Sequence, residues 1–155
     1  VVDGIEWENR YRELLGNGYQ LMEGALEVCQ SLSATHRLFV ITNGITKTQL
    51  RRLKKSGLYE FFEDIFDSQS IGFQKPLIEF FNYVSSHIKD FNKKEALVIG
   101  DSLNSDIKGG FLSGIDTCWI NTKSQKCSVE IQSTYTITSL MELYDICTPR
   151  SSNYN

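Results

Sequence analysis

Three short segments hold side chains whose types and spacing suit phosphate chemistry. Gly100-Asp101-Ser102-Leu103-Asn104-Ser105-Asp106 puts two carboxylates five residues apart, directly after the apolar run Ala96–Ile99. If that run is a strand feeding a helix, the turn brings both carboxylates to one spot. Two hard oxygen ligands suit Mg²⁺, which takes few protein ligands and keeps its other positions for water and phosphate. An N-cap and a helix-dipole acid are the ordinary alternative use of the same aspartates. Lys75-Pro76 follows a glycine-containing loop, and the expectation is that Pro76 opens a helix and fixes the lysine at one place. An ammonium so held neutralises a phosphate or a carboxylate; a lone Lys-Pro is otherwise an exposed surface lysine. Thr42-Asn43-Gly44 combines a hydroxyl with backbone N–H groups at the start of a helix, a set that suits a phosphate oxygen, although Asn-Gly alone marks a plain turn.

The elements that must position these residues can be read from apolar patterning. Arg37–Thr42 (RLFVIT) and Glu95–Gly100 (EALVIG) are short continuous runs of the kind buried on both faces of a parallel sheet. Asp116–Ile120 predicts a third strand, Asp64–Asp67 a short one and Tyr135–Thr138 an edge strand. Helical spacing joins Ala25, Val28, Cys29 and Leu32; Ile45, Leu50 and Leu53; and Leu77, Phe81, Val84 and Ile88. A helix is expected over Asn104–Ser113 with Ile107 and Phe111 inward. Ser139 and Glu142 have the spacing of a capping box that opens a last helix to about Cys147. Glu6–Leu15 is polar and helix-prone. Strands alternating with helices predict an α/β fold with a Rossmann-like parallel sheet flanked by helices, and ligands in such sheets sit at the carboxyl ends of the strands. Thr42, Lys75 and Asp101 all fall at that end.

Composition narrows the classes further. The 155 residues carry a net charge of −3 with 41% hydrophobic and 23% charged residues, as in a globular domain. The negative balance argues against nucleic acid as a partner. No apolar run approaches the ~18 residues that cross a bilayer, so no membrane partner and no leader segment are expected. Cys29, Cys118, Cys127 and Cys147 include no C-x-x-C pair, and His36 and His87 are the two histidines, which argues against zinc. A reducing, cytoplasmic setting fits such cysteines. The basic residues Arg51, Arg52, Lys54 and Lys55 read as a solvated helix face.

Taken in order, ITNG, GFQKP and IGDSLNSDIKGG resemble the motifs of the haloacid dehalogenase-like (HAD) hydrolase superfamily. With GIDTCWIN after them, they are similar to its bacterial pyrimidine 5′-nucleotidase-like subgroup. The likeness runs from about Tyr19 to Cys147. It implies a Mg²⁺-dependent phosphoric monoester hydrolase acting on a small phosphorylated metabolite, in the subgroup a nucleoside 5′-monophosphate. By motif match, Thr42, Asn43, Gly44 and Lys75 hold phosphate and Lys75 is catalytic. Asp101 binds the metal, Asp106 supports it directly, through water or through Lys75, and Ser102 positions the loop. The likeness leaves open another HAD phosphatase, acting on a sugar phosphate or phosphoglycolate, and a non-catalytic phosphate-binding or interaction fragment. A receiver-like signalling domain also pairs acids, Thr and Lys, but there the acids come first.

HAD enzymes open with a strand ending in Asp-x-Asp-x-Thr, whose first aspartate is the nucleophile. This chain has no such segment; Asp3 is followed by Gly4 and Ile5. It opens on Val1, and it resembles the carboxyl-terminal two-thirds of such an enzyme. The expected organisation is a remnant of the helical cap over 1–17, an incomplete core over 18–147 and a loose tail over 148–155. The isolated chain is expected to have no turnover. Lack of the nucleophile strand would leave RLFVIT and ALVIG with unpaired inner edges, at about 1–3 kcal/mol per buried unpaired group. The two strands are then expected to close up, to be bridged by another chain, or to flank an open gap.

Overall fold

A computed structural model describes residues 2–5 (backbone), 23–126 and 130–147. Among them, six parallel strands form one sheet in the order β3-β2-β1-β4-β5-β6. The strands are β1 (Val2–Ile5), β2 (Arg37–Thr42), β3 (Asp64–Asp67), β4 (Ala96–Gly100), β5 (Asp116–Ile120) and β6 (Tyr135–Ile137). The helices are α1 (Ala25–Ser33), α2 (Lys47–Lys55), α3 (Ser68–Ile71), α4 (Ile78–His87), α5 (Lys108–Leu112) and α6 (Leu143–Cys147). A π-turn over Leu103–Ile107 precedes α5. Among the described residues, no helix is long and apolar enough to cross a membrane.

Period-two alternation along the strands divides the core into two layers. Leu38 and Val40 of β2, with Leu97 and Ile99 of β4, pack under α1, α2 and α6. Phe39 and Ile41, with Ala96 and Val98, pack against Phe80, Phe81 and Val84 of α4 on the other face. Continuous apolar runs are required because both faces are covered. Burying each of the larger side chains contributes about 1.5–3 kcal/mol, and Leu38, Ile99 and Phe80 are at most 1% exposed.

The space between residues 37–42 and 96–100 is neither closed up nor left open. Val2–Ile5 occupies that slot, paired in parallel with β2 on one side and β4 on the other. Neither closing-up nor a second chain is needed. The expected cap remnant therefore does not include residues 2–5. The predicted helix over Glu6–Leu15, the rest of segment 1–17 and the tail 148–155 lie outside the described residues. Four residues that include Asp3 and Gly4 carry no strand pattern, which is why a central strand is not legible there.

Two helices differ from expectation. Lys75-Pro76 lies in a turn, joined by a cis peptide bond, and α4 begins at Ile78. The core face of α4 uses Phe80, Phe81 and Val84, with Ile88 buried just after its last turn, while Leu77 is 47% exposed. The predicted helix over Asn104–Ser113 begins with the π-turn, and Phe111 points outward at 57% exposure. Ile107 is inward as expected, and the inner arc continues with Gly109, which a Cβ would press onto the Phe81 ring, and Gly110, where a Cβ would meet Thr117 Cγ2 at 2.6 Å. The glycines set which face approaches the sheet, and Phe111 falls on the far side.

Candidate active site

The order β3-β2-β1-β4 reverses direction at the centre of the sheet, since the chain builds outward from β1 on one side and then on the other. Such a switch point opens a crevice at the carboxyl ends of the strands. Thr42 ends β2, and Asp101 follows directly on β4.

Lys75, in the turn that precedes α4, is 2% exposed. Its Nζ donates to Asp106 Oδ1 at 2.8 Å and to the Ile41 carbonyl at 3.3 Å. Both side chains of this ion pair are fully shielded from solvent. A buried ammonium requires such a partner, because an isolated charge in a low-dielectric interior is costly.

Asp106 is held from several directions. Its Oδ2 accepts the Ser102 backbone N–H at 3.2 Å. Ser102 Oγ caps the π-turn by accepting from Ser105 N at 3.2 Å, and the Asp106 and Ile107 N–H groups both donate to the Ser102 carbonyl. The turn folds the chain back so that Asp106 lies over Gly100, where an added Cβ would stand 2.7 Å from the Asp106 Cβ and nearer still to its carboxylate. Glycine at 100 is thus what lets the carboxylate reach Lys75.

The turn after β2 closes on itself. Thr42 Oγ1 donates to the Gly44 carbonyl at 3.0 Å and accepts the Gly44 N–H at 3.2 Å. The Asn43 side chain turns toward Lys75: its Oδ1 accepts Lys75 N–H at 2.8 Å, and its Nδ2 donates to the Lys75 carbonyl at 3.1 Å. Ser68 Oγ donates to the Asn43 carbonyl at 2.8 Å. On the other side, the indole N–H of Trp119 donates to the Asp101 carbonyl at 3.1 Å, and Asp101 Oδ1 is shielded from solvent.

Lys75, Asp106, Asn43 and Ser102 therefore form one connected network between Thr42 and Asp101. The Asn43 amide, expected on phosphate, is engaged with the Lys75 backbone. The Asp106 carboxylate is shared between Lys75 and the Ser102 N–H. Ser68, Trp119 and the Ile41 carbonyl were not legible as contributors. Trp119 alone carried a hint, since an indole N–H inside an apolar strand needs an acceptor.

Among the described residues, no group of three or more His, Cys, Asp or Glu side chains meets, so no all-protein metal cage exists there. Asp101 carries a shielded Oδ1, while both oxygens of Asp106 are engaged, by Lys75 Nζ and by the Ser102 N–H. Mg²⁺ uses one or two carboxylates and fills its remaining positions with water and phosphate oxygens. A lysine paired with Asp106, the hydroxyl turn at Thr42 and the Asp101 carboxylate thus gather at the carboxyl ends of β2 and β4.

Comparisons with known proteins bear on the family. The sequence profile of the family "Haloacid dehalogenase-like hydrolase" matches residues 5–120. The chain is 48% identical over 144 residues to the HAD-hydrolase YfnB of Bacillus subtilis, covering 93% of this chain and 61% of YfnB. It is 38% identical over 144 residues to the pyrimidine 5′-nucleotidase PynA of Streptococcus pneumoniae, covering 92% of this chain and 61% of PynA. Against the pyrimidine 5′-nucleotidase YjjG of Escherichia coli it is 31% identical over 122 residues, covering 79% of this chain and 54% of that protein. The crystal structure of magnesium-bound YfnB superimposes with a TM-score of 0.82 at 47% identity, covering 91% of this chain and 62% of that one. The chain thus spans about three-fifths of the length of the first of these relatives. Motif order, crevice geometry and similarity together place the chain in the haloacid dehalogenase-like hydrolase family.

Proposed function

We propose that this chain carries the phosphate- and metal-binding part of a Mg²⁺-dependent phosphoric monoester hydrolase whose substrates are nucleoside 5′-monophosphates. The observation that carries the reading is the shielded Lys75–Asp106 pair at the strand carboxyl ends, between Thr42 and Asp101. A lysine with a merely structural role has little reason to be buried beside an aspartate at a ligand crevice, since buried ion pairs are a weak source of stability. The nucleotide assignment is supported by the likeness to PynA and YjjG.

In this reading, Lys75 presents positive charge to the phosphoryl group and Asp106 keeps its ammonium aimed. A phosphate oxygen at the β2 turn replaces the Gly44 carbonyl as acceptor of the Thr42 hydroxyl. Asp101, supported by Asp106, would hold Mg²⁺, which when bound supplies Lewis-acid charge to a phosphoryl oxygen. Donors fixed before the reaction stabilise developing charge without reorganising. Ser102 shapes the loop. No Asp-x-Asp-x-Thr segment occurs in the chain, so the carboxylate that would attack phosphorus has no motif counterpart. The isolated chain binds phosphate without turning it over, and a reducing cytoplasmic setting suits its thiols.

The test measures phosphate release from nucleoside monophosphates and from a sugar phosphate, with Mg²⁺ and with chelator. It is run on this chain and on the longest reading frame that contains it. Mg²⁺-dependent release by the longer product, fastest on a nucleoside monophosphate and lost on Asp101→Asn, is expected. Release unchanged by Asp101→Asn or by chelator would overturn the metal assignment, and preference for the sugar phosphate would overturn the substrate class.

A further inference from the structure

We propose that Asn43 is a positioning residue: its side-chain amide clamps the Lys75 backbone and thereby sets where the ammonium sits. This goes beyond the phosphate-holding role expected of the β2 turn, and its catalytic meaning rests on the reading of Lys75 given above. The geometry is a two-point pairing of one planar amide with one residue. Oδ1 accepts Lys75 N–H at 2.8 Å, and Nδ2 donates to the Lys75 carbonyl at 3.1 Å. Only a primary amide offers acceptor and donor side by side in one plane. Aspartate at 43 keeps the acceptor and sets negative charge against a carbonyl oxygen, while alanine keeps neither.

The clamp is itself anchored. Asn43 directly follows the last residue of β2, and its carbonyl accepts from Ser68 Oγ at 2.8 Å at the start of α3. Lys75 lies 32 residues further along the chain, in the turn closed by Leu77 N–H to the Gln74 carbonyl. The far end of the lysine returns to the same strand end, with Nζ 3.3 Å from the Ile41 carbonyl. Residues 41–43 thus grip the lysine at its backbone and at its ammonium, and the span between those grips fixes the reach of Nζ to Asp106. If the Asn43 amide instead served phosphate, its acceptor and a donor would not both face one backbone unit.

The experiment follows Lys75 itself in the 155-residue chain. Amine acylation by an N-hydroxysuccinimide ester is quantified by peptide mass spectrometry, and exchange of the Lys75 amide hydrogen is followed in parallel. In the wild type, Lys75 should react far more slowly than the exposed Lys89 and Lys94. Asn43→Ala should speed acylation of Lys75 about tenfold, the scale of opening expected when two hydrogen bonds are lost. It should also remove protection of the Lys75 amide, leaving Lys94 unchanged. Asn43→Asp should retain part of the amide protection while still exposing Nζ.

Val84→Ala, in the core under α4, serves as a control for general destabilisation and should leave Lys75 slow. A folded Asn43→Ala chain with Lys75 as unreactive as in the wild type would overturn the clamp. So would equal acceleration by Val84→Ala. Neither readout uses metal or substrate, so failure of the clamp and failure of the phosphatase reading are separately visible.

Discussion

Replacing Lys75 by methionine leaves the Asp106 carboxylate buried without its cation. The structure bounds the consequence. Both side chains are fully shielded, the pair is 2.8 Å apart, and without Lys75 the Ser102 N–H is the donor left to the Asp106 carboxylate. Breaking a buried pair by removing one partner costs about 3–5 kcal/mol, because the remaining charge has lost its compensation. A domain of this size is stable by ~5–15 kcal/mol, so the loss is a large fraction of the total. At roughly 2–4 °C per kcal/mol, the melting temperature should fall by roughly 6–20 °C. Asp106→Asn should cost a similar amount by stranding the ammonium. The double variant Lys75→Met/Asp106→Asn removes both charges and should be clearly more stable than the sum of the single losses implies. Urea unfolding followed by circular dichroism gives each value as a midpoint shift at constant slope. If Lys75→Met costs less than about 1 kcal/mol, the range of an exposed pair, the pair is screened by water and the buried-charge argument fails. Strict additivity of the two single losses refutes it as well.

Gly100→Ala should destabilise by about 1–3 kcal/mol through overpacking, because its Cβ would stand 2.7 Å from the Asp106 Cβ. It should also raise the acylation rate of Lys75 by pushing the carboxylate aside; an unchanged urea midpoint would show that the turn gives way freely. Glu142 accepts the backbone N–H groups of Ser139 and Thr138, which hold its carboxyl below its ordinary value of 4.5. A carboxylate with a lowered folded pKa stabilises above its unfolded pKa and loses that contribution as pH falls through the folded one. The difference in urea midpoint between wild type and Glu142→Gln should therefore be largest near neutral pH and close in acid; a difference that grows in acid would reverse the assignment.

Local chemistry was legible in the sequence wherever it depended on neighbours along the chain. RLFVIT and ALVIG announced strands because both faces of a central parallel strand must be apolar, and Ser139 with Glu142 announced a cap that the structure contains. The order Thr42, Lys75, Asp101 and Asp106 pointed to the crevice because successive strands of a parallel sheet deliver their ends to one side. What escaped was set by partners far away in sequence. Burial of Lys75 depends on Asp106, 31 residues on, and the orientation of the Asn43 amide on Lys75, 32 residues on. Phe111 was misplaced because an apolar stripe says nothing about glycines that bring a helix backbone onto the sheet through the absence of side chains. The central position of Val2–Ile5 escaped because main-chain pairing on two sides leaves no mark on four residues of mixed polarity.

The bond from the Trp119 indole to the Asp101 carbonyl gives the crevice an optical handle. Trp119 is 2% exposed, and the chain's other tryptophan is Trp7. Indole emission shifts with the strength of its hydrogen bond and with the local field. An ion or anion settling on the loop after β4 therefore acts on a chromophore tied directly to that loop. In a Trp7→Phe background the remaining emission comes from this one position, so occupancy of the crevice can be followed in the unlabelled protein, in real time and without turnover.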